Sequence, residues 1–570
     1  MNVHNLLFPP MAQMHPDVGS TSSIRIHLHY LRNLRSVIGV TFALNLICCA
    51  AAQGAPPAVK YLFPAGAQRG VTTEITANGD FSNWPPKTWA SHPGVHVSCG
   101  QEKGKLSFTV EPNTGAGVHF IRLYDDEGAS KPMPFVVGNL PEVVEKSSND
   151  SPDKAEALSS SMVTVSGRLE KRDDVDVYSV ELIESQTLVA SVLANEKLAS
   201  PMDGVLQILT AGGSVLAQHD DWHGLDPQLV FTAPSAGKYL VRIFAFPAQP
   251  DSRIGLAGGD AFLYRLTITT GSFIDFPWPL AVKQQETTDV KLIGWNLADP
   301  IHRQTVTAAG HPFVIDGDQL AGQLLLAVEP HACPIEVEPN NISEPQALEL
   351  PATISGRLQT LSDNDVFRFK AKRGETVLFQ LDGRDLGSPL DAVLEVTDSS
   401  GKSLVRTDDS NKRRDPELSW KAPEDGDYQV AVSDLHGRGG ERFYYRLRAA
   451  MAQPDFRAKS PEHAFVGSVG KPLEVTLDLD RQHGFDQEIV IRAEGLPDTI
   501  TAEPATSASS GETAKKVKLK LTATAAYSGP FRIVASTSGP ESLHRAAAFN
   551  ISDDAEITDL WITFKAEKTE

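Results

Sequence analysis

Apolar and polar residues alternate through most of the chain. In 443–449, Phe443, Tyr445 and Leu447 fall on one face, while Tyr444, Arg446 and Arg448 fall on the other. Phe262, Tyr264, Leu266 and Ile268 repeat the pattern, and so do Val475, Leu477, Leu479 and Val517, Leu519, Leu521 near the C-terminus. A period of two marks half-buried β-strands, because successive side chains leave a strand on opposite sides. No stretch sustains the 3.6-residue period of a helix; "SPDKAEALSS" (151–160) has room for one or two helical turns. Short strands separated by Gly, Pro and Asp predict an all-β chain of antiparallel sandwiches. The 43 glycines and 38 prolines fit that turn-rich reading.

The alternation is organised in repeats, which outrank any single motif. "SGRLEKRDDVDVYSV" (166–180) matches "SGRLQTLSDNDVFRF" (355–369), and "SPMDGVLQI" (200–208) matches "SPLDAVLEV" (388–396). "DPQLVFTAPSAGKYLVRI" (226–243) matches "DPELSWKAPEDGDYQVAV" (415–432), and "FLYRLTI" (262–268) matches "FYYRLRA" (443–449). Upstream of each unit, "FPAGAQRGVTTEITANG" (63–79) matches "WPLAVKQQETTDVKLIG" (278–294). The chain therefore reads as A, B, a shorter A, B and a tail. The expected divisions are a signal and extension (1–54), an Ig-like sandwich (55–140), the first B module (141–271), a short module (272–333), the second B module (334–450) and a C-terminal Ig-like sandwich (451–570). Modules in succession with short linkers predict a stiff rod that presents loops.

A chain of 570 residues is too long for one core, in line with this division. Its 72 acidic and 52 basic side chains give a net charge of −20. That balance argues against a nucleic-acid partner, which needs clustered Lys and Arg. The stretch "VIGVTFALNLICCAAA" (37–52) follows Arg32 and Arg35 and ends in small residues. This is the layout of a secretory signal, with cleavage expected near Ala52 and no span in the mature chain. A retained anchor and a lipoprotein signal at "LICC" (46–49) are the alternatives. Cys99 and Cys333 lie far apart without CxxC spacing, so both are expected to be free.

"HDDWHGLDP" (219–227) most resembles chemistry, since two histidines among aspartates suit a metal or a polarised water. The second copy answers with "TDDSNKRRDP" (407–416), which keeps Asp-Asp and Asp-Pro but loses both histidines. Aspartates that fold onto turn amides explain what persists. A function private to the first copy is the alternative. The sequence contains no HExxH, no GxSxG elbow and no P-loop, so no enzyme activity is expected.

The B modules resemble the bacterial pre-peptidase C-terminal (PPC) domain, on "EVEPNN" (336–341), "SGRL" with "DNDVFRF" (363–369), "DDSNKRRDP" and "APEDGDYQVAV". The A modules resemble IPT/TIG-type immunoglobulin-like domains. The whole layout resembles large secreted proteins of planctomycete-type bacteria. The resemblance implies a jelly-roll-like module that is non-catalytic and accompanies secreted proteases. PPC domains similar to collagen-binding domains imply structural calcium held by an acidic N-terminal segment and an Asp-rich turn. Carried over, the second copy supplies Glu336, Glu338, Asn340, Asn341, Asp363 and Asp365. The first supplies Glu145, Asn149, Asp150, Asp174 and Asp176, with Ser147 in place of the second Glu, and is expected to bind more weakly.

The function expected is a secreted or cell-envelope, non-catalytic binding or spacer protein whose partner is an extracellular polysaccharide or protein. Exposed aromatics such as Trp222 and Tyr444 are candidates for stacking on sugars. The alternatives are an accessory chain of an exoenzyme system related to subtilisin-like proteases, and a hydrolase with an unrecognised site at "HDDWHG".

Overall fold

The computed structural model describes residues 54–566, apart from 147, 248–254, 307–312, 316–319, 323, 411–413, 540–541 and 553–554. The expected export signal lies outside the described residues. The chain is all-β, built of paired sheets.

In the first B module, one sheet orders its strands as Glu142–Val144, Met162–Arg168, Leu263–Thr269, Thr187–Leu193 and Gln228–Thr232. The facing sheet runs Glu156–Ala157, Asp176–Leu182, Gly237–Phe246, Asp203–Thr210 and Val215–His219. The second B module repeats this order with Ala352–Arg357, Tyr444–Met451, Thr376–Asp382 and Glu417–Lys421 against Gln346–Ala347, Asn364–Ala371, Gly426–Asp434, Ala392–Asp398 and Ser403–Thr407. Two isolated parallel bridges, Ala332 to Ala352 and Ile335 to Ser355, stand in place of its missing edge strand. Pairing is antiparallel except at the short first strand of each sheet.

The alternation read from the sequence is the burial pattern. Tyr264, Leu266 and Ile268 enter one core, and Tyr445 and Leu447 the other. Val475, Leu477, Leu479, Val517, Leu519 and Leu521 fill the core of the C-terminal sandwich. In "SPDKAEALSS", only Pro152–Lys154 coils, as a single 3-10 turn. Gly167 and Gly356 are required by packing. A Cβ on either would run into the ring of Tyr264 or Tyr445, which crosses the glycine from the neighbouring strand.

The A–B pair repeats as a unit. Arg168 of the first B module lies over Phe63, 5.6 Å from the ring centroid, and Arg357 of the second lies over Trp278 at 6.0 Å. The peptide bonds Phe63–Pro64 and Trp278–Pro279 are both cis. The short module does not close its own core: Ile274, Phe276, Leu292 and Leu326 share a cluster with Tyr444 of the second B module.

The first and last modules touch, so contacts are not confined to modules adjacent in sequence. Trp561 packs on Trp89 and Tyr124, and Lys565 pairs with Glu127 at 2.5 Å.

Candidate cation site and the histidine loop

Glu336 and Glu338 lie on the segment that runs in beside the Ala352–Arg357 strand. Asp363 and Asp365 lie at the start of the Asn364–Ala371 strand, after a tight turn. The fold brings these two segments together. Ligand oxygens of Glu338, Asp363 and Asp365 lie within 4.8 Å of one another. That span is about twice a calcium–oxygen bond, so one ion reaches all three. Asp363 also accepts from the backbone N–H of Gln359 (2.6 Å) and Asn364 (3.0 Å), which fixes its direction.

Beneath them the cluster is buried. Asp365 is fully buried and accepts from the Tyr445 hydroxyl at 2.6 Å. Burial, then the adjoining Glu336 carboxyl, pushes Asp365 up to about 10. Burial likewise raises Glu336, which hydrogen bonds with Asp365. The pair shares a proton, because two anions this close in a dry site are costly. Asn340 is also fully buried. With its amide nitrogen turned inward it donates to Asp365 Oδ1 (3.1 Å) and Glu338 Oε2 (3.0 Å). With its carbonyl oxygen inward, the same position adds an oxygen to the carboxylates. Hydrogen bonding within the cluster selects the first orientation; a cation selects the second.

Asn341 stands outside the group. Its Oδ1 accepts from the N–H (3.0 Å) and hydroxyl (2.6 Å) of Ser343, so it is spent on an Asx-turn.

The first B module keeps the framework with different occupants. The Tyr264 hydroxyl donates to Asp176 (2.7 Å) and Glu145 (3.1 Å), and pairs with the hydroxyl of Tyr178 at 2.6 Å. Phe367 stands where Tyr178 stands, so the second copy lacks this second hydroxyl. Burial raises Glu145 to about 9 and Asp176 to about 7. Asn149 faces Asp176 as Asn340 faces Asp365. Asp174 caps the Glu170 N–H, and Asp150 is exposed. Among the described residues, a three-carboxylate group forms in the second copy and not in the first.

The histidine loop is an interface. Trp222 donates from Nε1 to Asp275 (3.2 Å), and His223 Nε2 lies 3.7 Å from the same carboxylate, which belongs to the short module. Arg442 of the second B module lies 3.6 Å from the Trp222 ring centroid and reaches Asp275 at 3.3 Å. Burial lowers the pKa of both His219 and His223. His219 packs edge-on against Trp222. The loop joins three modules, which is why the second copy does not retain it. Trp222 and Tyr444 are therefore not sugar platforms: Tyr444 is fully buried and stacked on Phe276, with centroids 3.9 Å apart.

Asp-Pro persists for a related reason. Asp226 accepts from the N–H groups of Ala194 (3.0 Å), Asn195 (2.7 Å) and Glu196 (3.2 Å). Asp415 does the same to Gly383 (2.8 Å), Arg384 (3.0 Å) and Asp385 (3.0 Å). The aspartates were expected to bond within their own turn. They instead cap a turn some thirty residues earlier, which periodicity does not reveal.

A cavity of about 880 Å³ lies where the first four modules meet. Its charged walls are already engaged: Arg446 and Arg448 with Asp382, and Arg265 with Glu142. Cys99 and Cys333 are both free thiols, as expected. No described helix is long and apolar enough to cross a membrane.

Residues 363–434 match the family model of the bacterial pre-peptidase C-terminal domain. The match contains Asp363, Asp365 and the Asp415 cap, and stops short of the 336–341 segment. A probable subtilase-type serine protease of Deinococcus radiodurans is 30% identical over 241 residues, 41% of this chain and 26% of the relative. The chain thus spans about a quarter of the length of that curated relative. A periplasmic inhibitor of g-type lysozyme from Aeromonas hydrophila is 16% identical, covering 21% of this chain and all of its own, with a TM-score of 0.16. A Bacteroides ovatus glucan-utilization-locus protein, solved with a mixed-linkage heptasaccharide, is 10% identical over 71% of this chain and 77% of its own, with a TM-score of 0.14. The comparisons lend no support to a planctomycete-type origin.

Proposed function

We propose that the chain is an exported, non-catalytic multi-module scaffold whose two B modules are both PPC domains, the second holding a structural calcium ion. The observation that carries the cation is the convergence of Glu338, Asp363 and Asp365 around a rotatable, fully buried amide, Asn340. Hard oxygen ligands on a partly rigid frame suit calcium, and an amide that turns its oxygen inward on binding completes the donor set. Burial and the adjoining Glu336 favour the protonated form of Asp365, and an ion would take that proton's place. The non-catalytic reading draws support from the histidine loop, where Trp222 and His223 are engaged with Asp275 and Arg442 of other modules.

The test is calorimetric titration of the chain from residue 54 onward with calcium, paired with thermal melts. The expected result is one tight site and a melting temperature that climbs with calcium. Absence of heat and an unmoved melt at millimolar calcium would refute the cation. Peptidase or glycosidase turnover by the pure chain, lost on His219→Ala, would refute the non-catalytic reading.

A second reading is favoured by the subtilase-type relative: an accessory chain of an extracellular protease system. Co-secretion and stable co-purification with a subtilase-type protease support it. A glycan and matrix-protein array, with and without calcium, tests the polysaccharide or protein partner of the scaffold reading.

A further inference from the structure

The junction of the first and last modules is held by an unusual group. Arg122 is fully buried, and its Nη1 donates to the backbone oxygen of Ser130 (3.1 Å) and to His463 Nδ1 (3.0 Å). Its Nη2 donates to the backbone oxygen of Asp559 (3.2 Å), and its guanidinium lies 5.8 Å from the Trp561 ring centroid. An arginine has no acceptor to offer, so His463 must present a lone pair at Nδ1. Only the neutral imidazole has one. Protonation would set two N–H donors and two positive charges face to face at 3.0 Å.

The surroundings supply nothing to offset that charge. From the first module, His463 faces Arg122 and Lys131, both cationic. From its own module it meets the ring of Phe549, and its backbone oxygen accepts from the Trp561 N–H. The Asp559 carboxylate is taken by Arg532 at 2.7 Å. Glu462, its chain neighbour, is exposed. Glu127, paired with Lys565, and Tyr124, packed on Trp561, are further titratable groups of the junction.

We propose that this junction is an acid-released clasp: a proton on His463 breaks its bond to Arg122 and parts the first module from the last. Burial, then Arg122 and Lys131, holds the imidazole down to about 4, so the clasp stays shut at neutral pH and yields in acid. The modules keep their own cores, since His463 belongs to none of the apolar clusters. The clasp therefore opens before the sandwiches unfold.

Spin labels at Lys103→Cys and Ser510→Cys, with Cys48, Cys49, Cys99 and Cys333 all changed to Ser, report the separation of the two modules in the full chain by pulsed resonance. The wild-type distance should be single at pH 7.5, and a longer population should dominate at pH 4, with β-sheet circular dichroism retained. His463→Asn keeps an acceptor that cannot be protonated and should hold the short distance at pH 4. His463→Lys carries a fixed charge and should show the long distance already at pH 7.5. A wild-type distance unchanged at pH 4 overturns the proposal. So does opening of His463→Asn to the wild-type extent, which would assign the release to Glu127 and Lys565.

Discussion

The guanidinium of Arg442 lies 3.6 Å from the centroid of the Trp222 indole, although the two residues belong to different B modules. Arg442 also bonds Asp275 of the short module and the backbone oxygen of Gly387. One cation thus joins three modules in a partly desolvated site, where a cation–π pair contributes about 2 kcal/mol. Trp222→Ala and Arg442→Ala, alone and together in denaturant melts, should give a coupling of that size. Additive effects would show that the ring and the cation act independently.

Asp415→Ala should be among the most damaging single changes in the second B module. It leaves three backbone N–H groups without their fully buried acceptor. A loss of about 3 kcal/mol is expected, since orphaned buried donors carry their full desolvation cost. Asp226→Ala should do the same in the first module. The exposed Asp409 of the same loop, changed to Ala, should cost under about 0.5 kcal/mol by denaturant melt.

Calcium should stabilise the chain by RT ln(1 + [Ca]/Kd), about 2.7 kcal/mol at a hundredfold excess over Kd. Glu338→Ala should abolish the gain while leaving the calcium-free melt near wild type, because it is exposed. Asp363→Ala should also abolish it, and should cost the calcium-free protein about 1 kcal/mol by orphaning the N–H groups of Gln359 and Asn364. Asn341→Ala should leave the gain intact, since its side chain serves Ser343. A gain that survives Asp363→Ala would place the ion elsewhere.

Gly356→Ala should destabilise by about 2–3 kcal/mol, the cost of forcing a methyl into a packed ring. Gly426→Ala is the control. Its new methyl would meet Tyr428 at an ordinary 3.6 Å, and the change should stay within about 0.5 kcal/mol of wild type.

Stability should also depend on pH through His463. Burial, then Arg122 and Lys131, hold it down to about 4, below the usual 6.5 of a histidine. The unfolded chain therefore takes up the proton first as pH falls. The contribution is complete above about pH 6.5 and is lost as pH drops towards 4. Because the ring is partly exposed, about 1–2 kcal/mol is expected rather than the full shift. The stability–pH curve of His463→Asn should be flatter by that amount between pH 6.5 and 4.

The sandwiches and their duplication were legible because both are written in short-range order: period two along strands, and matched segments in sequence. The acidic cluster was legible in part. Glu338, Asp363 and Asp365 come together with Asn340 beside them, whereas the Asn341 side chain serves a turn. What sequence could not reveal was contact between modules. Trp222 finds its partners at Asp275 and Arg442, and Tyr444 finds Phe276, all beyond the strand that carries them. The outward face of 444–448 looked solvated because alternation records two sides of a strand but not what lies against each. The Tyr445 crossing was hidden for a related reason: "SGRL" shows a glycine, and only the paired strand shows the ring above it.

Phe63 under Arg168 and Trp278 under Arg357 carry a lesson for how this chain arose and how it should be dissected. The same aromatic–arginine contact stands at both boundaries between an A module and the B module that follows. The ancestral gene segment that duplicated was therefore the two-module pair, already docked. A cut at 333/334 severs an inherited joint and strips Tyr444 of its cover, whereas a cut at 271/272 falls between the two heirs. Fragments for expression, and swaps with other proteins, should respect that older seam.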